Sequence, residues 1–326
     1  MMIGRSEQSV TALARLRRFA SCNAPVLIEG ETGTGKELAA REIHYASARS
    51  AKPFVPVNCG ALPDSLVESE LFGHCRGAFT DAKTTQIGLV EHARGGTLFL
   101  DEVDMLSLHA QVALLRFLQD REYRPIGGDT RKADVRIVAA TNASLEQLAD
   151  DGSFRLDLLY RLNALYLRLA PLRERTIDIE PLAEHFLAIA IERLDLPPRR
   201  WSEAAMQLLV AHEWPGNARE LENATLRACL VAEGDEIEVD DLVTAVPAID
   251  GDAEHGAVVE CRREATFRAA KHSAIESFER GYLTRLMRRA GGNVSAAARL
   301  SNIERRQLGK LLKKLGIEKQ AFRDAE

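Results

Sequence analysis

Seven residues constrain this chain more than any others: Gly30-Glu31-Thr32-Gly33-Thr34-Gly35-Lys36. They follow an apolar run, Ala24-Pro25-Val26-Leu27-Ile28, and open a helical pattern from Lys36 to Ser47. In that context a G-x-x-x-x-G-K run reads as a phosphate loop. Its glycines let the backbone curl with N–H groups pointing inward, the helix N-terminus adds partial positive charge, and Lys36 can reach terminal phosphates. Glu37 stands where Ser or Thr usually offers magnesium a hydroxyl, so the metal must lean on other ligands.

Three further apolar runs, Phe54-Val55-Pro56-Val57, Gly96 to Leu100 and Val135 to Ala140, alternate with helical stretches such as His109 to Asp120. This pattern, from about Val10 to Ile179, predicts an α/β fold: a mainly parallel sheet covered on both faces. The run Thr97 to Leu100 ends in Asp101-Glu102. At the C-terminal end of a buried strand such a pair lies beside the phosphate loop, Asp101 to hold magnesium and Glu102 to polarise the attacking water. Alone, an Asp-Glu pair often just caps the following helix. Joined to Lys36, it points to binding and hydrolysis of a nucleoside triphosphate.

At 326 residues the chain is too long for one compact domain, since about 150 residues per domain gives roughly two. Beyond Ile179 the strand signals vanish, and Leu182, Phe186, Ile189 and Ala190 recur at helical spacing up to Val246. Pro247 to Gly256 reads as a linker, and past roughly Ser273 the chain is helical again. The expected boundaries are an α/β domain over 1–172, a helical subdomain over 173–246, a linker over 247–272 and a helical tail unit over 273–326. Charge separates the same parts. From Arg262 onward 16 Lys and Arg face 7 Asp and Glu, a balance of +9 within a chain of net charge −5. An acidic body with a basic tail suggests that the tail meets a polyanion; a solvated helical tail is the plainer alternative. No stretch approaches the roughly 18 apolar residues of a membrane helix, and the N-terminus has no signal core. Five cysteines without a C-x-x-C pair suggest neither disulfides nor zinc, so a cytoplasmic location is expected.

The order of these segments resembles the AAA+ ATPases, and within them the bacterial enhancer-binding proteins that activate sigma-54 RNA polymerase. The likeness extends over nearly the whole chain. It rests on the phosphate loop, Glu70-Leu71-Phe72-Gly73-His74, Gly77 to Ala82, Gly95 to Glu102, Ala140-Thr141-Asn142, Phe154 to Leu162, Pro171 to Arg175 and Trp214 to Leu221. Glu37 is also what this family carries. The resemblance implies ATP and Mg2+ as ligands, held by Gly30 to Glu37, Asp101, Asn142 and Arg219. It implies that Asn58 is a switch partner for Glu102 and that Asn142 senses the γ-phosphate, although Asn142 reads equally well as a helix N-cap. Arg155 and Arg161 match the pair that reaches a neighbouring subunit's nucleotide; without the resemblance they read as surface salt-bridge arginines. Arg219 matches the second sensor. The implied assembly is a hexameric ring with each site built between two subunits.

Gly77-Ala78-Phe79-Thr80-Asp81-Ala82 resembles the family's sigma-54 contact loop, in which the fifth residue is normally glycine. A glycine-flanked aromatic in a polar stretch suits an exposed loop tip. Asp81 adds a negative charge and excludes backbone geometries open to glycine.

In the tail, Leu283 to Ala290 ends at Gly291-Gly292, Asn293 or Ser295 starts a second helix, and a third runs from about Glu304 to Leu315. Three helices joined by tight turns form a helix-turn-helix, and the segment resembles the Fis type. Ile303, Leu308, Leu311 and Leu312 are expected in its core. Arg305, Arg306, Gln307 and Lys310 are expected to face the major groove, with Lys313 and Lys314 on phosphate. Such units usually act as dimers on double-stranded DNA.

Together these features imply an ATP-driven activator that binds upstream DNA and remodels the sigma-54 RNA polymerase holoenzyme from closed to open complex. Asp81 leaves one alternative: a DNA-binding regulator that keeps the ATPase domain but does not act through sigma-54. The chain begins at the ATPase domain, so control is expected from a regulatory protein acting in trans, from expression level, or from a domain outside this sequence.

Overall fold

A computed structural model describes residues 3–78, 82, 84–246, 249, 283, 287, 293–301 and 305–314. Phe79, Thr80 and Asp81 lie outside the described residues, as do nearly all of the expected linker and most of the first tail helix. The chain divides into two compact units, 1–246 and 247–326.

The first unit is built on five parallel strands: β1 (Val26–Glu29), β2 (Phe54–Asn58), β3 (Thr97–Asp101), β4 (Arg136–Thr141) and β5 (Leu165–Arg168), in the order β2-β3-β4-β1-β5. Successive side chains point to opposite faces, and both faces are covered. Leu27, Leu98, Leu100, Ile137 and Ala139 pack on one side with Phe72, Phe117 and Phe154. Val26, Ile28, Phe99, Val138 and Ala140 pack on the other with Leu16, Ala39, Ala40 and Ile43. That double burial explains why β1, β3 and β4 read as continuous apolar runs; β2, at the sheet edge, is only partly covered. The fifth was not expected: Tyr166 and Arg168 are exposed at the sheet edge, which breaks the run.

The register matters for function. Asn58 pairs with Asp101, Leu100 with Ala139, and Thr141 with Glu29. The C-terminal ends of β1 to β4 therefore meet along one edge of the sheet, where ligands of open α/β sheets bind. The chain after each strand departs from this edge.

The helical part of this unit carries helices Ile179–Leu194, Glu203–Ala211, Asn217–Val231 and Val239–Ala245. Contrary to the expectation of no strands there, Arg200–Trp201 pairs in parallel with Glu236–Ile237. Two residues are too few to show a period of two in the sequence. Trp214 is fully buried, and its indole N–H donates to the Leu209 carbonyl at 2.8 Å. The N-terminal segment is fastened to this region through buried Asp178, which accepts from Ser6 N at 2.8 Å, Ser6 Oγ at 2.6 Å and Ser9 Oγ at 2.5 Å. Burial alone would raise that carboxyl, but these hydrogen bonds hold it below the usual range.

In the second unit, helix Val294–Ser301 is capped by Asn293, whose Oδ1 accepts from Ser295 N at 3.0 Å and Ala296 N at 3.2 Å. It packs with helix Arg305–Lys314 around Leu283, Met287, Ala297, Ala298, Leu308 and Leu312. Arg305, Arg306, Lys310 and Lys313 are exposed. The side chains of Ile303, Gln307, Leu311 and Lys314 lie outside what is described. Among the described residues no helix is long and apolar enough to cross a membrane, and Cys22, Cys59, Cys75 and Cys229 are free thiols.

Candidate nucleotide site

The loop after β1 carries two glycines in the left-handed region, Gly33 at φ +79° and Gly35 at φ +99°. Gly35 starts helix Lys36–Tyr45. Lys36 Nζ donates to the carbonyls of Gly30 at 2.7 Å and Glu31 at 3.2 Å. Burial lowers the Lys36 ammonium from its usual range, and Asp101, Glu102 and Asp104 oppose that shift. Glu37 bonds Arg41 at 2.7 and 2.9 Å on the outer side of the helix.

Asp101 ends β3, with Oδ1 accepting from Glu102 N at 3.1 Å. Burial raises the Asp101 carboxyl, while the Lys36 charge pulls it back. Glu102 itself is left-handed, with φ 55° and ψ 47°, an uncommon conformation for a residue bearing a Cβ. Such strain clusters at functional sites. A Cβ on Gly60 would lie 2.5 Å from Glu102 Oε2 and 3.4 Å from Asn58 Oδ1, so both side chains border this glycine. The Asn58 oxygen meanwhile accepts from Ala61 N at 3.1 Å.

Asn142, after β4, does not cap the next helix; Ser144 does, by accepting from Gln147 N. The Asn142 amide reaches across to Thr32 Oγ1 at 3.3 Å. Neighbouring Thr141 donates to Asp104 at 2.6 Å. The expected sensor position thus touches the phosphate loop.

Arg155 pairs with Asp157 two residues on, at 2.7 and 3.0 Å, and Arg161 is exposed near the end of the same helix, Leu156–Leu162. Arg219 stands against the loop, its Cβ 3.1 Å from where a Cβ on Gly33 would lie.

Sequence reasoning missed how the loop is joined to the lid. The Glu31 carboxylate faces Arg173, which donates at 2.5 and 2.8 Å, and Asn217 Nδ2 at 3.2 Å. The Arg173 bond holds the Glu31 carboxyl down at about 2. Asn217 was legible only as a member of the matched segment Trp214 to Leu221, in which Arg219 alone was given a role.

The residues present fit a nucleoside triphosphate with magnesium. Backbone N–H groups, a helix N-terminus and Lys36 suit phosphate, and a half-buried carboxylate at Asp101 suits a hard cation. The fold and site define a class: a phosphate-loop nucleoside triphosphatase domain with a helical lid, followed by a helix-turn-helix.

The chain matches the Sigma-54 interaction domain over residues 2–168, the AAA+ ATPase lid domain over 173–257, and the Bacterial regulatory protein, Fis family, over 274–315. It belongs to the bacterial enhancer-binding family of sigma-54-dependent, AAA+ transcriptional activators. Among its relatives is the Nif-specific regulatory protein of Azotobacter vinelandii, 47% identical over 254 residues, which make up 78% of this chain and 48% of that protein. Another is the transcriptional regulatory protein XylR of Pseudomonas putida, 42% identical over 96% of this chain and 56% of that one. The chain thus spans about half the length of these curated relatives. The crystal structure of NtrX from Brucella abortus in complex with ATP superposes with a TM-score of 0.71 at 34% identity, covering 97% of this chain and 70% of that one.

Proposed function

We propose that this chain is an ATP-driven activator that binds DNA upstream of a promoter and remodels sigma-54 RNA polymerase from closed to open complex. The observation that carries this reading is the alignment of the phosphate loop, Asn58, Asp101-Glu102 and Asn142 along one sheet edge, in a family member with a basic helix-turn-helix.

In this reading, Gly30 to Lys36 hold the phosphates and Lys36 leaves the loop carbonyls for the terminal phosphate oxygens. Asp101 holds magnesium, which when bound supplies charge neutralisation on the phosphates. Glu102 orients water and takes its proton, with Asn58 holding that carboxylate away until the nucleotide state changes. Asn142 and Arg219 register the γ-phosphate.

Arg155 and Arg161 act in the neighbouring subunit, where a guanidinium stabilises charge on the transferring phosphoryl group. Exposure of Leu156 and Tyr160 between them, at 52% and 70%, supports a subunit contact there, within a hexameric ring. The Phe79 loop presses on sigma-54. Arg305, Arg306, Gln307 and Lys310 read base edges, while Lys313 and Lys314 hold backbone phosphate.

Mixing tests the shared site. Glu102→Gln and Arg161→Ala proteins are each inactive as ATPases, yet a mixture regains activity, because some interfaces pair an intact Glu102 with an intact Arg161. Full activity of Arg161→Ala alone, or an inactive mixture, contradicts the reading.

A further inference from the structure

Five consecutive carbonyls of the phosphate loop have donors. Those of Gly30 and Glu31 accept from Lys36 Nζ. The next three are engaged from the lid and the segment leading to it: Thr32 O by Asn217 Nδ2 at 3.0 Å, Gly33 O by Ala218 N at 3.1 Å, and Thr34 O by Arg175 Nη2 at 3.2 Å.

In a trans peptide the C=O of one residue and the N–H of the next point opposite ways. No peptide bond among the described residues is cis. Pinning the Thr32 and Thr34 carbonyls toward these donors turns the N–H groups of Gly33 and Gly35 to the other side of the loop, while the Thr34 N–H, which follows the pinned Gly33 carbonyl, closes on the Glu31 carbonyl at 3.3 Å. A phosphate loop works only if its N–H groups are presented in this way.

Asn217 is the centre of the arrangement. It is fully buried and left-handed, with φ 55°. Its Oδ1 accepts from Leu172 N at 2.7 Å, at the crossing from sheet to lid. That donor fixes the amide orientation, so Nδ2 faces Thr32 O, Glu31 Oε2 at 3.2 Å and Pro215 O at 3.4 Å. Arg175, 7% exposed, adds the third bond while its other nitrogen lies 3.4 Å from Ser9 Oγ.

We infer that Asn217, assisted by Arg175 and the Ala218 amide, is a positioning residue that holds the phosphate loop in its anion-binding form by gripping its carbonyls from the lid. The lid then governs nucleotide affinity through the backbone of the loop, separately from any contact Arg219 makes with phosphate. This rests on the nucleotide reading of the site. Displacing the lid releases three carbonyls together and lets the loop relax.

The test uses the full chain and Asn217→Asp in a Glu31→Gln background, compared with Glu31→Gln alone; the change keeps the acceptor for Leu172 N, tolerates the left-handed backbone and loses the donor without setting two carboxylates 3.2 Å apart. Asn217→Gly, which keeps the backbone freedom and loses the whole side chain, is measured alongside, so that a folding failure in one leaves the other. Calorimetric titration with ATP and hydrogen exchange of the nucleotide-free loop are read together. Loss of a donor to a buried carbonyl weakens ATP about tenfold. The amides of Thr34 and Ala218, bonded to the Glu31 and Gly33 carbonyls, exchange faster while those of β4 are unchanged. Arg219→Ala leaves loop exchange at the wild-type rate. A folded variant with wild-type loop exchange and ATP affinity overturns the inference. Wild-type protein that binds no ATP overturns instead the nucleotide reading, and the exchange result still decides whether the grip exists.

Discussion

Gly33 of the phosphate loop and Gly216 of the lid approach so closely that a Cβ on the first would lie 2.2 Å from the carbonyl oxygen of the second. The loop and the lid are thus in backbone contact, and glycine is required twice over, since Gly33 is also at φ +79°. Forcing a residue with a Cβ into that region costs about 1–2 kcal/mol before any clash. Gly33→Ala is expected to lower the melting temperature and to weaken ATP more than about tenfold, the clash adding to that strain. Thermal melts and an ATP titration measure both; an unchanged affinity would show that the approach is slack.

Glu102 is the residue placed to take a proton from water, and it holds no bond to the loop. Glu102→Gln should cut ATP hydrolysis by about 10²- to 10⁴-fold, the usual contribution of a general base, while ATP still binds. A steady-state assay beside a binding titration separates the two. Hydrolysis at the wild-type rate would move the role of base elsewhere.

The Glu31–Arg173 pair gives a pH signature. The Glu31 carboxyl is depressed from 4.5 to about 2 in the folded protein. Its contribution to stability is therefore complete above about 4.5 and is lost as pH falls toward 2. The side chain is 42% exposed, so water screens the pair and the effect is small. The melting temperature of wild type minus that of Glu31→Gln should be positive at pH 6 and shrink below pH 4.5. A difference that grows on acidification would reverse the sign and exclude the pair as its source.

In the tail, Leu308→Ala removes a fully buried side chain from a small cluster and should destabilise that unit by about 2–5 kcal/mol. Arg306→Ala alters an exposed residue and should leave the melt unchanged while weakening specific DNA by about 1–3 kcal/mol. Gel-shift titrations and melts of both variants distinguish packing from contact.

Much of this site was readable from residues alone, for physical reasons. β1, β3 and β4 are buried on both faces and so announce themselves as apolar runs, and a phosphate loop has few substitutes for its glycines and lysine. β5 was hidden because Tyr166 and Arg168 face outward at the sheet edge, and the two-residue strands of the lid are shorter than any period. Asn217 was hidden differently. It lies in the matched segment Trp214 to Leu221 with nothing local to show its task, since its partners Thr32 and Leu172 lie 185 and 45 residues away. Asn142 shows the reverse: local sequence allowed a helix cap, and the fold gave that task to Ser144.

In the proposed function, ATP turnover opens promoters through sigma-54. The direct measurement is open-complex formation by sigma-54 RNA polymerase on a supercoiled sigma-54 promoter, with and without hydrolysable ATP. Opening is expected to require hydrolysis and to disappear in Thr80→Ala. Hydrolysis without opening, persisting when Asp81→Gly restores the family's loop, would contradict the proposed function.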